Sequence, residues 1–425
     1  MGNPFKIILI NHSFQINYYS RRWELFAEQF PDADVTLLAP KEYVWYANNY
    51  TFNGEIKRKS FEINKGNFHR RLFDLKRAKT WKSEDYRRLL DEIRPDVVYL
   101  IGGILPAAHQ ILKLRNRFYP NMKVINFSMR GPANNLRLDI SGFNPLLKVW
   151  RGYQYLESKR LLSFFNKNID AVFCHYPEAV DCFRKEGYYG PVYMQTQVGV
   201  NTEWFYPNEK YRRDIRDRYG INDNTFLFGS ATRFSPDKGL ADIVNALPIE
   251  GDWRYFMMGT GTDEQIKALK QLIKKRGLES KIVMTGMIDW YEIAKYWNAV
   301  DCAIHVPRTT KTWVETFALS AVQPQATGKP VIGNTSGSVP YQLGFDEMIV
   351  PEGDIDALNK KILWVLNHKD EARAIGVKMY ERTISSFSVS HLNRLFYDTI
   401  VEDILNGTYD SKKIDMTRYV PREEV

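Results

Sequence analysis

Short apolar runs rich in β-branched and aromatic residues recur along the chain, and a helical pattern of about ten or more residues follows most of them. This alternation is typical of parallel sheets built from β-α-β units. Strands are predicted at residues 6–11, 35–39, 97–101, 124–127, 171–175, 192–196, 226–231, 255–258, 282–285, 302–306, 331–333 and 348–350. The pattern therefore indicates an α/β protein with two doubly wound, Rossmann-like parallel-sheet domains in tandem.

A loop at Tyr206-Pro207-Asn208 separates the last strand of the first half from a charged helix predicted over residues 209–219. We therefore expect an N-terminal domain over residues 1–205 and a second domain over residues 206–385. A further helical pattern spans residues 389–405. Residues 386–425 are expected to form a C-terminal helix and tail that packs back on the N-terminal domain.

The length and composition agree with this division. The chain has 425 residues, of which 44% are apolar and 26% charged, so it is a globular chain with room for two domains of about 100–200 residues each. Its three cysteines, Cys174, Cys182 and Cys302, have no C-x-x-C spacing, which argues against a disulfide framework or a zinc knuckle. This cysteine usage fits a reducing cytoplasm, which is the expected location. No run approaches the ~18 apolar residues that span a bilayer, so a soluble or peripheral chain is expected.

Positive charge is concentrated in the first half. Residues 1–205 carry 30 Lys and Arg against 20 Asp and Glu, which leaves 29 against 30 for the remainder of the 59 and 50 in the chain. Residues 57–82 alone contain ten cations and two acids, interleaved with aromatic side chains. This basic stretch fits an anionic membrane surface, an acceptor pyrophosphate or a solvated loop. No nucleic-acid-binding motif accompanies it, so nucleic acid is not expected as a partner.

Two loops of the second half carry groups suited to an anionic ligand. Arg233 and Lys238 share the loop after the strand at 226–231, where a parallel sheet binds its ligands and two cations suit a diphosphate. Gly259-Thr-Gly261 follows the strand at 255–258. It lacks the third glycine of a dinucleotide fingerprint, so a tight turn is indicated instead of an NAD site.

The most informative segment follows the strand at 302–306. It contains Glu315-Thr-Phe-Ala-Leu-Ser-Ala-Val-Gln323 and then Ala326-Thr-Gly328-Lys-Pro330-Val331. This pattern resembles glycosyltransferase family 4, the group 1 glycosyltransferases, whose C-terminal domain carries Glu-Gly-Phe-Gly, a second Glu eight positions after the first, and Ala-x-Gly-x-Pro-Val. The resemblance extends from about residue 199 to 358 and includes Arg233, Lys238-Gly239 and Gly259-x-Gly261. It implies the GT-B fold, in which two Rossmann-like domains face a cleft.

The resemblance also implies roles for individual residues. Arg233, Lys238 and Glu315 are the expected catalytic residues, with the two cations on the donor diphosphate and Glu315 accepting hydrogen bonds from the sugar. Glu315 is expected to begin a helix whose first amides hold sugar and phosphate, and Gln323 takes the position of the ribose-binding Glu. The complete expected donor site comprises Arg233, Lys238, Gly259, Gly261, Met287, Glu315, Thr316, Phe317, Ala318, Leu319 and Gln323.

Several positions depart from the family pattern. Thr316 and Ala318 replace two glycines, Ser338 replaces the second glycine of Gly-Gly, and Tyr341 replaces a Glu. With Gln323, the chain thus lacks two carboxylates expected near the nucleotide, so the base of the donor stays open between UDP and GDP.

The first half supplies fewer acceptor-side candidates. The segment after the first strand lacks the glycines that the family often has there, and no His follows the strand at 124–127. The candidates are His12, Ser13, Gly102, Gly103, Ser128 and Arg130. Ser128 or Arg130 could take the role of the family His, and His12 and His109 are the alternatives to them.

The resulting expectation is a hexosyltransferase-type enzyme that retains anomeric configuration and moves a sugar from a nucleotide-sugar to a hydroxyl of a glycan or lipid-linked acceptor. Cell-surface polysaccharide or glycolipid synthesis, at the inner face of the membrane, is the expected setting. No cofactor and no obligate metal are implied. The alternatives are a GT-B nucleotide-sugar-binding protein or epimerase without glycoside-forming activity, and a Rossmann oxidoreductase.

Overall fold

The computed structural model describes residues 4–11, 17–40, 64–65, 67–73, 83–102, 105–128, 145–311, 313–407 and 414–415. The chain divides into two compact units. The first contains the chain up to Gln197 and a returning segment that begins at Leu392, and the second runs from Val198 to His391. Each unit contains one sheet flanked by helices.

The first unit is built on a mainly parallel sheet with the strand order β15-β8-β7-β6-β5-β1-β2-β4-β3. Its strands are β1 (Phe5–Ile10), β2 (Ala33–Pro40), β3 (Asn64–Lys65), β4 (Phe68–Phe73), β5 (Val97–Ile101), β6 (Lys123–Phe127), β7 (Ala171–Cys174), β8 (Val192–Met194) and β15 (Ile414–Asp415). Its helices are α1 (Asn17–Gln29), α2 (Ser83–Ile93), α3 (Leu105–Phe118), α4 (Pro145–Asn168) and α5 (Glu178–Lys185).

The second unit contains a wholly parallel sheet with the order β11-β10-β9-β12-β13-β14. Its strands are β9 (Phe226–Ala231), β10 (Trp253–Met258), β11 (Ile282–Gly286), β12 (Cys302–His305), β13 (Val331–Asn334) and β14 (Ile349–Val350). Its helices are α6 (Glu209–Arg218), α7 (Leu240–Ala246), α8 (Asp263–Lys275), α9 (Ile293–Ala299), α10 (Leu319–Gln325), α11 (Val339–Leu343), α12 (Ile355–Asn367) and α13 (Lys369–Phe387). One more helix, α14 (Val389–Asp398), begins in the second unit and ends in the first.

Every strand predicted from the apolar runs is present, and no observed end differs from the predicted one by more than two residues. Most of these strands are buried on both faces, as the burial of all five residues of β5 shows, whereas the edge strand β11 is only partly buried. Strands covered by helices on both sides need continuous apolar runs, and this requirement made them detectable in the sequence.

Three strands of the first sheet were not predicted: β3, β4 and β15. The sequence of β4, Phe-His-Arg-Arg-Leu-Phe, lies inside the basic stretch and has no continuous apolar run. It is held by parallel pairing with β2, from Val35 opposite Phe68 to Pro40 opposite Phe73. Part of the stretch expected to be a loop or docking segment is therefore a strand. The remainder, apart from Asn64, Lys65 and Asn67, lies outside the described residues.

The returning segment completes the core of the first unit. After α14 the chain continues as a π-helix over Thr399–Leu405. Phe396, Ile400 and Ile404 are fully buried in the cluster that also contains Trp23 and Tyr99. The Phe396 ring packs against Trp23 at 5.2 Å and Tyr99 at 5.1 Å between ring centroids. Burial of these side chains anchors the end of the described chain on the first unit.

Candidate functional site

The strand order identifies where each sheet can form a ligand site. In the second sheet β9 lies between β10 and β12, so the connections after β9 and β12 depart in opposite directions. In open α/β sheets the crevice at such a switch point, at the carboxyl ends of the strands, is where ligands bind. The loops after β9 and β12 are therefore the first candidates in this unit.

The loop after β9 is held in place by backbone contacts. It forms a single 3₁₀ turn over Pro236–Lys238 and ends at Gly239, which has φ +70°. A Cβ at Gly239 would collide with the carbonyl oxygen of Val306, the residue directly after β12. Only glycine allows this approach, so it fixes Lys238 beside the loop that follows β12.

Lys238 and Glu315 meet at this switch point. The Lys238 ammonium Nζ lies 2.9 Å from Glu315 Oε2, and the two side chains are 12% and 9% exposed. The same ammonium lies 3.9 Å from the centre of the Trp313 ring, which is a cation–π contact. The structure thus brings together two expected catalytic residues, and it adds Trp313, whose role the sequence pattern did not indicate.

The backbone of Glu315 is held from the loop after β13. The Ser338 amide donates to the Glu315 carbonyl at 2.9 Å. Gly337 has φ +52°, and a Cβ there would collide with the same carbonyl oxygen. Gly337 therefore allows the close approach, while Ser338 provides the amide that fixes it.

His305, at the end of β12, is the second site residue that the sequence pattern did not reveal. Its Nε2 lies 3.7 Å from Glu315 Oε2 and its Nδ1 lies 3.2 Å from Ser320 Oγ. Burial lowers the pKa of His305 to about 4, and the Glu315 carboxylate opposes the shift. The imidazole is therefore neutral at pH 7. Its buried Nε2 has no hydrogen-bond partner among the described residues, as is also true of Ser235 Oγ on the β9 loop.

One expectation about the Glu315 segment is wrong. The helix begins at Leu319 and not at Glu315, and Ala318, its N-cap residue, has an extended backbone. The Ala318 amide already donates to Gln342 Oε1 at 2.8 Å, and Gln342 Nε2 donates to the Ala318 carbonyl at 3.0 Å. The side chain of Gln342, which is buried on α11, thus makes the hydrogen bonds with Ala318 that a helical turn would have made. In this arrangement the Ala318 amide is not available to donate a hydrogen bond to an anion.

Gln323 lies on α10 and is buried. Its Oε1 accepts a hydrogen bond from Trp297 Nε1 at 3.2 Å. Tyr341, which stands at a family Glu position, packs edge-on against Phe387 at 5.7 Å between ring centroids, as Phe317 does at 5.6 Å. The two missing carboxylates are thus replaced by groups with partners inside the second unit.

The remaining donor-side candidates surround the same sheet edge. Arg233 is one-third exposed and its nearest acid is Asp237, at 4.0 Å. Gly259 and Gly261 follow β10 at positions where a Cβ would collide with the carbonyl of Thr232 and with the Phe234 side chain. Met287 follows β11 and is 57% exposed. Thr316 and Leu319 are partly exposed on either side of Ala318.

The first sheet has its own switch point between β1 and β5. Gly102 directly follows β5, and Ser128, which is buried, follows β6. The other acceptor-side candidates, His12, Ser13, Gly103 and Arg130, lie outside the described residues. His109 lies on α3, where its ring packs edge-on against Phe164 at 4.6 Å between ring centroids, which favours a structural role.

A buried polar cluster at the carboxyl edge of the first sheet was not predicted. His175 follows β7, and its Nδ1 lies 2.7 Å from Thr196 Oγ1. Arg22, on α1, donates to the Thr196 carbonyl at 2.9 Å and to Asn393 Oδ1 at 3.1 Å. Burial lowers the pKa of His175 to about 3, with Arg22 adding to the shift. These bonds connect α1, the end of the sheet and the returning segment.

The described part of the chain contains neither a ready-made metal site nor a membrane-spanning helix. Among these residues no group of three or more His, Cys, Asp and Glu side chains is arranged to hold a metal ion. No described helix combines the length and apolar character needed to cross a membrane.

Comparison with known proteins agrees with this geometry. Residues 211–382 match the model of the family described as glycosyl transferases group 1. This region contains Arg233, Lys238, Glu315 and Gln323. The family resemblance deduced from the motifs is therefore confirmed for the second unit.

Curated relatives match over part of their length. The chain is 26% identical over 187 residues to a GDP-mannose-dependent α-(1-6)-phosphatidylinositol monomannoside mannosyltransferase of Mycolicibacterium smegmatis, covering 42% of this chain and 48% of the relative. It is 23% identical over 205 residues to the N-acetyl-α-D-glucosaminyl L-malate synthase of Bacillus anthracis, covering 45% and 51%. The matched region thus spans about half the length of these relatives.

Solved structures resemble almost the whole chain. The Anabaena protein HepE in complex with UDP-glucose superposes with a TM-score of 0.66 and 16% identity, covering 94% of this chain and all of the other. Likeness at this level of identity shows the fold. The expected GT-B class, with two Rossmann-like parallel-sheet domains, is confirmed.

Proposed function

We propose that the chain is a glycosyltransferase that moves a sugar from a nucleotide-sugar donor to an acceptor hydroxyl, since residues 211–382 match the family model of glycosyl transferases group 1. The observation that carries this proposal is the meeting of Lys238 and Glu315 at the switch point of the second sheet, 2.9 Å apart. A cation and a carboxylate placed together there suit a donor that has an anionic diphosphate next to a hydroxyl-bearing sugar.

In the proposed site the diphosphate competes with Glu315 for the Lys238 ammonium. Lys238 and Arg233 then face the phosphate oxygens, and the Glu315 carboxylate is released to accept hydrogen bonds from sugar hydroxyls. Charge-assisted bonds of this kind are shorter and about twice as strong as neutral ones. The exchange replaces one buried charge pair by two interactions with the donor, so neither charge is left unpaired.

The proposed chemistry retains the anomeric configuration. The bond between the anomeric carbon and the diphosphate oxygen breaks, and the acceptor oxygen forms its bond on the same face of the sugar. The acceptor proton passes to an oxygen of the departing phosphate, which serves as the base. Lys238 and Arg233 stabilise the negative charge that develops on the leaving diphosphate.

His305 is proposed to act through Glu315 and not on the substrate. A neutral imidazole 3.7 Å from the carboxylate can donate a hydrogen bond without adding a second positive charge next to Lys238. It therefore helps to position Glu315 when Lys238 turns to the diphosphate. The proposed reaction does not require a metal ion bound by the protein.

The proposed acceptor is a glycan or a lipid-linked hydroxyl, bound by the first unit, in cell-surface polysaccharide or glycolipid synthesis. Support for a lipid-linked acceptor comes from the resemblance to a mannosyltransferase named for a phosphatidylinositol monomannoside. The proposed location is cytoplasmic and peripheral at the membrane, with the basic stretch at residues 57–82 as one contact. The donor base stays open, since one similar protein is named for GDP-mannose and another was solved with UDP-glucose.

A thermal-shift screen of UDP, GDP, ADP and their common sugar conjugates tests the proposal, because a ligand that binds only the native state raises its stability. We expect one nucleotide series to raise the midpoint, and the best conjugate then serves as donor in transfer assays with crude acceptor lipid and with glycans. Failure of every nucleotide to bind overturns the proposal. Binding followed only by epimerisation of the sugar favours the GT-B epimerase instead.

A further inference from the structure

The four residues 315–318, between β12 and α10, are held at both ends by α11 and the residue before it. The Ser338 amide, at the start of α11, donates to the Glu315 carbonyl at 2.9 Å. Gln342, four positions later, binds the other end of the segment. Its Oε1 accepts from the Ala318 amide at 2.8 Å, and its Nε2 donates to the Ala318 carbonyl at 3.0 Å. Positions four apart lie on one face of a helix, so one face of α11 sets the course of the segment.

The extended backbone of Ala318 depends on Gln342. Ala318 has φ −103° and ψ 117°, and it directly precedes the first residue of α10. The helix predicted from the sequence begins earlier, at Glu315, and Gln342 opposes this by pairing with both backbone groups of Ala318. Gln342 is 0% and Ala318 5% exposed, so water cannot replace these bonds. Their removal leaves two buried polar groups unpaired and favours an added helical turn in their place.

Gln342 is itself fixed by its neighbours. Its Oε1 also accepts from Ser338 Oγ at 3.2 Å. Its backbone carbonyl accepts from Arg382 Nη1 at 3.0 Å and from Gln325 Nε2 at 3.3 Å. Arg382 lies on α13 and Gln325 on α10, and both are buried. A satisfied buried network of this kind is rigid, so the contacts with Ala318 are in place before a ligand binds.

Thr316, inside the held segment, has hydrogen-bonding groups to offer to a ligand. Neither its amide nor its hydroxyl has a partner among the described residues, and the residue is partly exposed. It directly follows Glu315, whose carboxylate is paired with Lys238. The segment therefore presents a donor and an acceptor one residue apart, and a rotation at Ala318 would displace both.

We propose that Gln342 is a positioning residue for the sugar of the donor. By keeping Ala318 extended, it fixes where the Glu315 carboxylate and the Thr316 amide meet the sugar. This inference rests on the proposed sugar transfer. The proposed diphosphate cations lie on a different loop, the one after β9. Loss of the Gln342 amide should therefore weaken recognition of the sugar more than recognition of the nucleotide.

Gln342→Met tests this role, since it keeps an unbranched side chain and removes both bonds to Ala318. The matched control is Gln325→Met. Gln325 is also fully buried, and its amide bonds to the Ala321 carbonyl at 2.8 Å and to Thr383 Oγ1 at 3.0 Å, away from the held segment. Should Gln342→Met lose cooperative melting, Gln342→Glu, which keeps an acceptor for the Ala318 amide, takes its place.

Calorimetry compares UDP with UDP-glucose and GDP with GDP-mannose, and transfer assays give turnover at saturating donor. We expect Gln342→Met to weaken binding of the sugar conjugate by about tenfold and to lower turnover at least as much, with less than about a twofold change for the free diphosphate. Gln325→Met should lower the melting midpoint and leave both affinities within about twofold. In a Glu315→Ala background the extra loss for the conjugate should be smaller, because Gln342 acts through that segment.

Equal losses for diphosphate and conjugate, or the same selective loss from Gln325→Met, would show that Gln342 only stabilises the fold. A Gln342→Met protein that binds the conjugate and turns it over like the wild type would overturn the inference by itself. If the wild type binds no nucleotide, the proposed sugar transfer is wrong, and the inference is wrong with it.

Discussion

Lys238 and Glu315, 77 positions apart in the chain, form an ion pair of 2.9 Å with both side chains about nine-tenths buried. The two residues lie on different loops: Lys238 follows β9 and Glu315 follows β12. They meet because β9 and β12 are neighbours in the sheet, and because Gly239 allows the two following loops to touch.

Breaking the pair from one side should cost more than removing it. We expect Lys238→Met to destabilise the fold by about 2–4 kcal/mol, because it leaves a buried carboxylate without its cation. The double variant Lys238→Met/Glu315→Leu should recover more than about 1 kcal/mol of that loss. Unfolding in urea measures both. The single variant Glu315→Leu completes the comparison. If the destabilisations of Lys238→Met and Glu315→Leu simply add up to that of the double variant, the two side chains do not interact in solution.

The diphosphate cations should control donor binding. We expect Lys238→Ala and Arg233→Ala each to weaken nucleotide-diphosphate binding by about 1.5–3 kcal/mol and to lower turnover strongly, since each loses a charge-assisted bond. Calorimetry gives the affinity, and transfer assays give the turnover. The control is Lys267→Ala on α8. Turnover near the wild-type value in both site variants at saturating donor would remove these residues from the mechanism.

Gln323 offers a test of the ribose position. Gln323→Glu should preserve or tighten nucleotide affinity, because a carboxylate can still accept from Trp297 Nε1 and from ribose hydroxyls. Gln323→Leu should weaken it by roughly 1–3 kcal/mol. Leu also leaves the Trp297 indole without its acceptor, so the melting midpoint is measured beside the affinity. If the Leu variant melts lower yet binds nucleotide like the wild type, Gln323 is structural and not a ribose ligand.

Trp313 should position Lys238 through its ring face. We expect Trp313→Phe to keep most of the nucleotide affinity and Trp313→Leu to lower it by about 0.5–2 kcal/mol, because only the aromatic variant retains the cation–π contact. The matched control is Trp364→Leu, since Lys361 lies 4.7 Å from the centre of the Trp364 ring on α12. Equal affinities for the Phe and Leu variants would argue against this role.

His305 should make stability depend on pH in a defined window. Its pKa is about 4 in the folded protein against 6.5 when exposed, so between these values the unfolded chain binds a proton that the folded one does not. The contribution of neutral His305 is complete above pH 6.5 and is lost as the pH falls toward 4, by an amount on the order of 3 kcal/mol.

Comparison with a variant isolates this effect from His175, which is also buried. We expect His305→Gln to have a flatter dependence of unfolding free energy on pH between 7 and 4.5 than the wild type, with a smaller loss of stability on acidification. Urea titrations at several pH values measure the difference. Parallel curves for the two proteins would show that His305 is not kept neutral by burial.

The second sheet, six strands of the first sheet and the position of the donor-side loops could be predicted from the sequence alone. Apolar runs such as β5 and β9 are local signals, because strands covered on both faces must be continuously hydrophobic wherever they lie in the sheet. Arg233, Lys238 and Glu315 could be assigned to one sheet edge for a similar reason. Each follows a predicted strand, and the carboxyl ends of parallel strands share an edge.

The partners of those groups could not be predicted from the sequence and became clear from the folded chain. The helix predicted to begin at Glu315 begins at Leu319, because Gln342 from a later helix takes both hydrogen bonds of Ala318. Gln323 is paired with Trp297, and β4 forms from a basic segment because β2 supplies its hydrogen bonds. Such outcomes depend on groups far apart in the chain, and their free energies exceed the weak local preferences that a sequence pattern records.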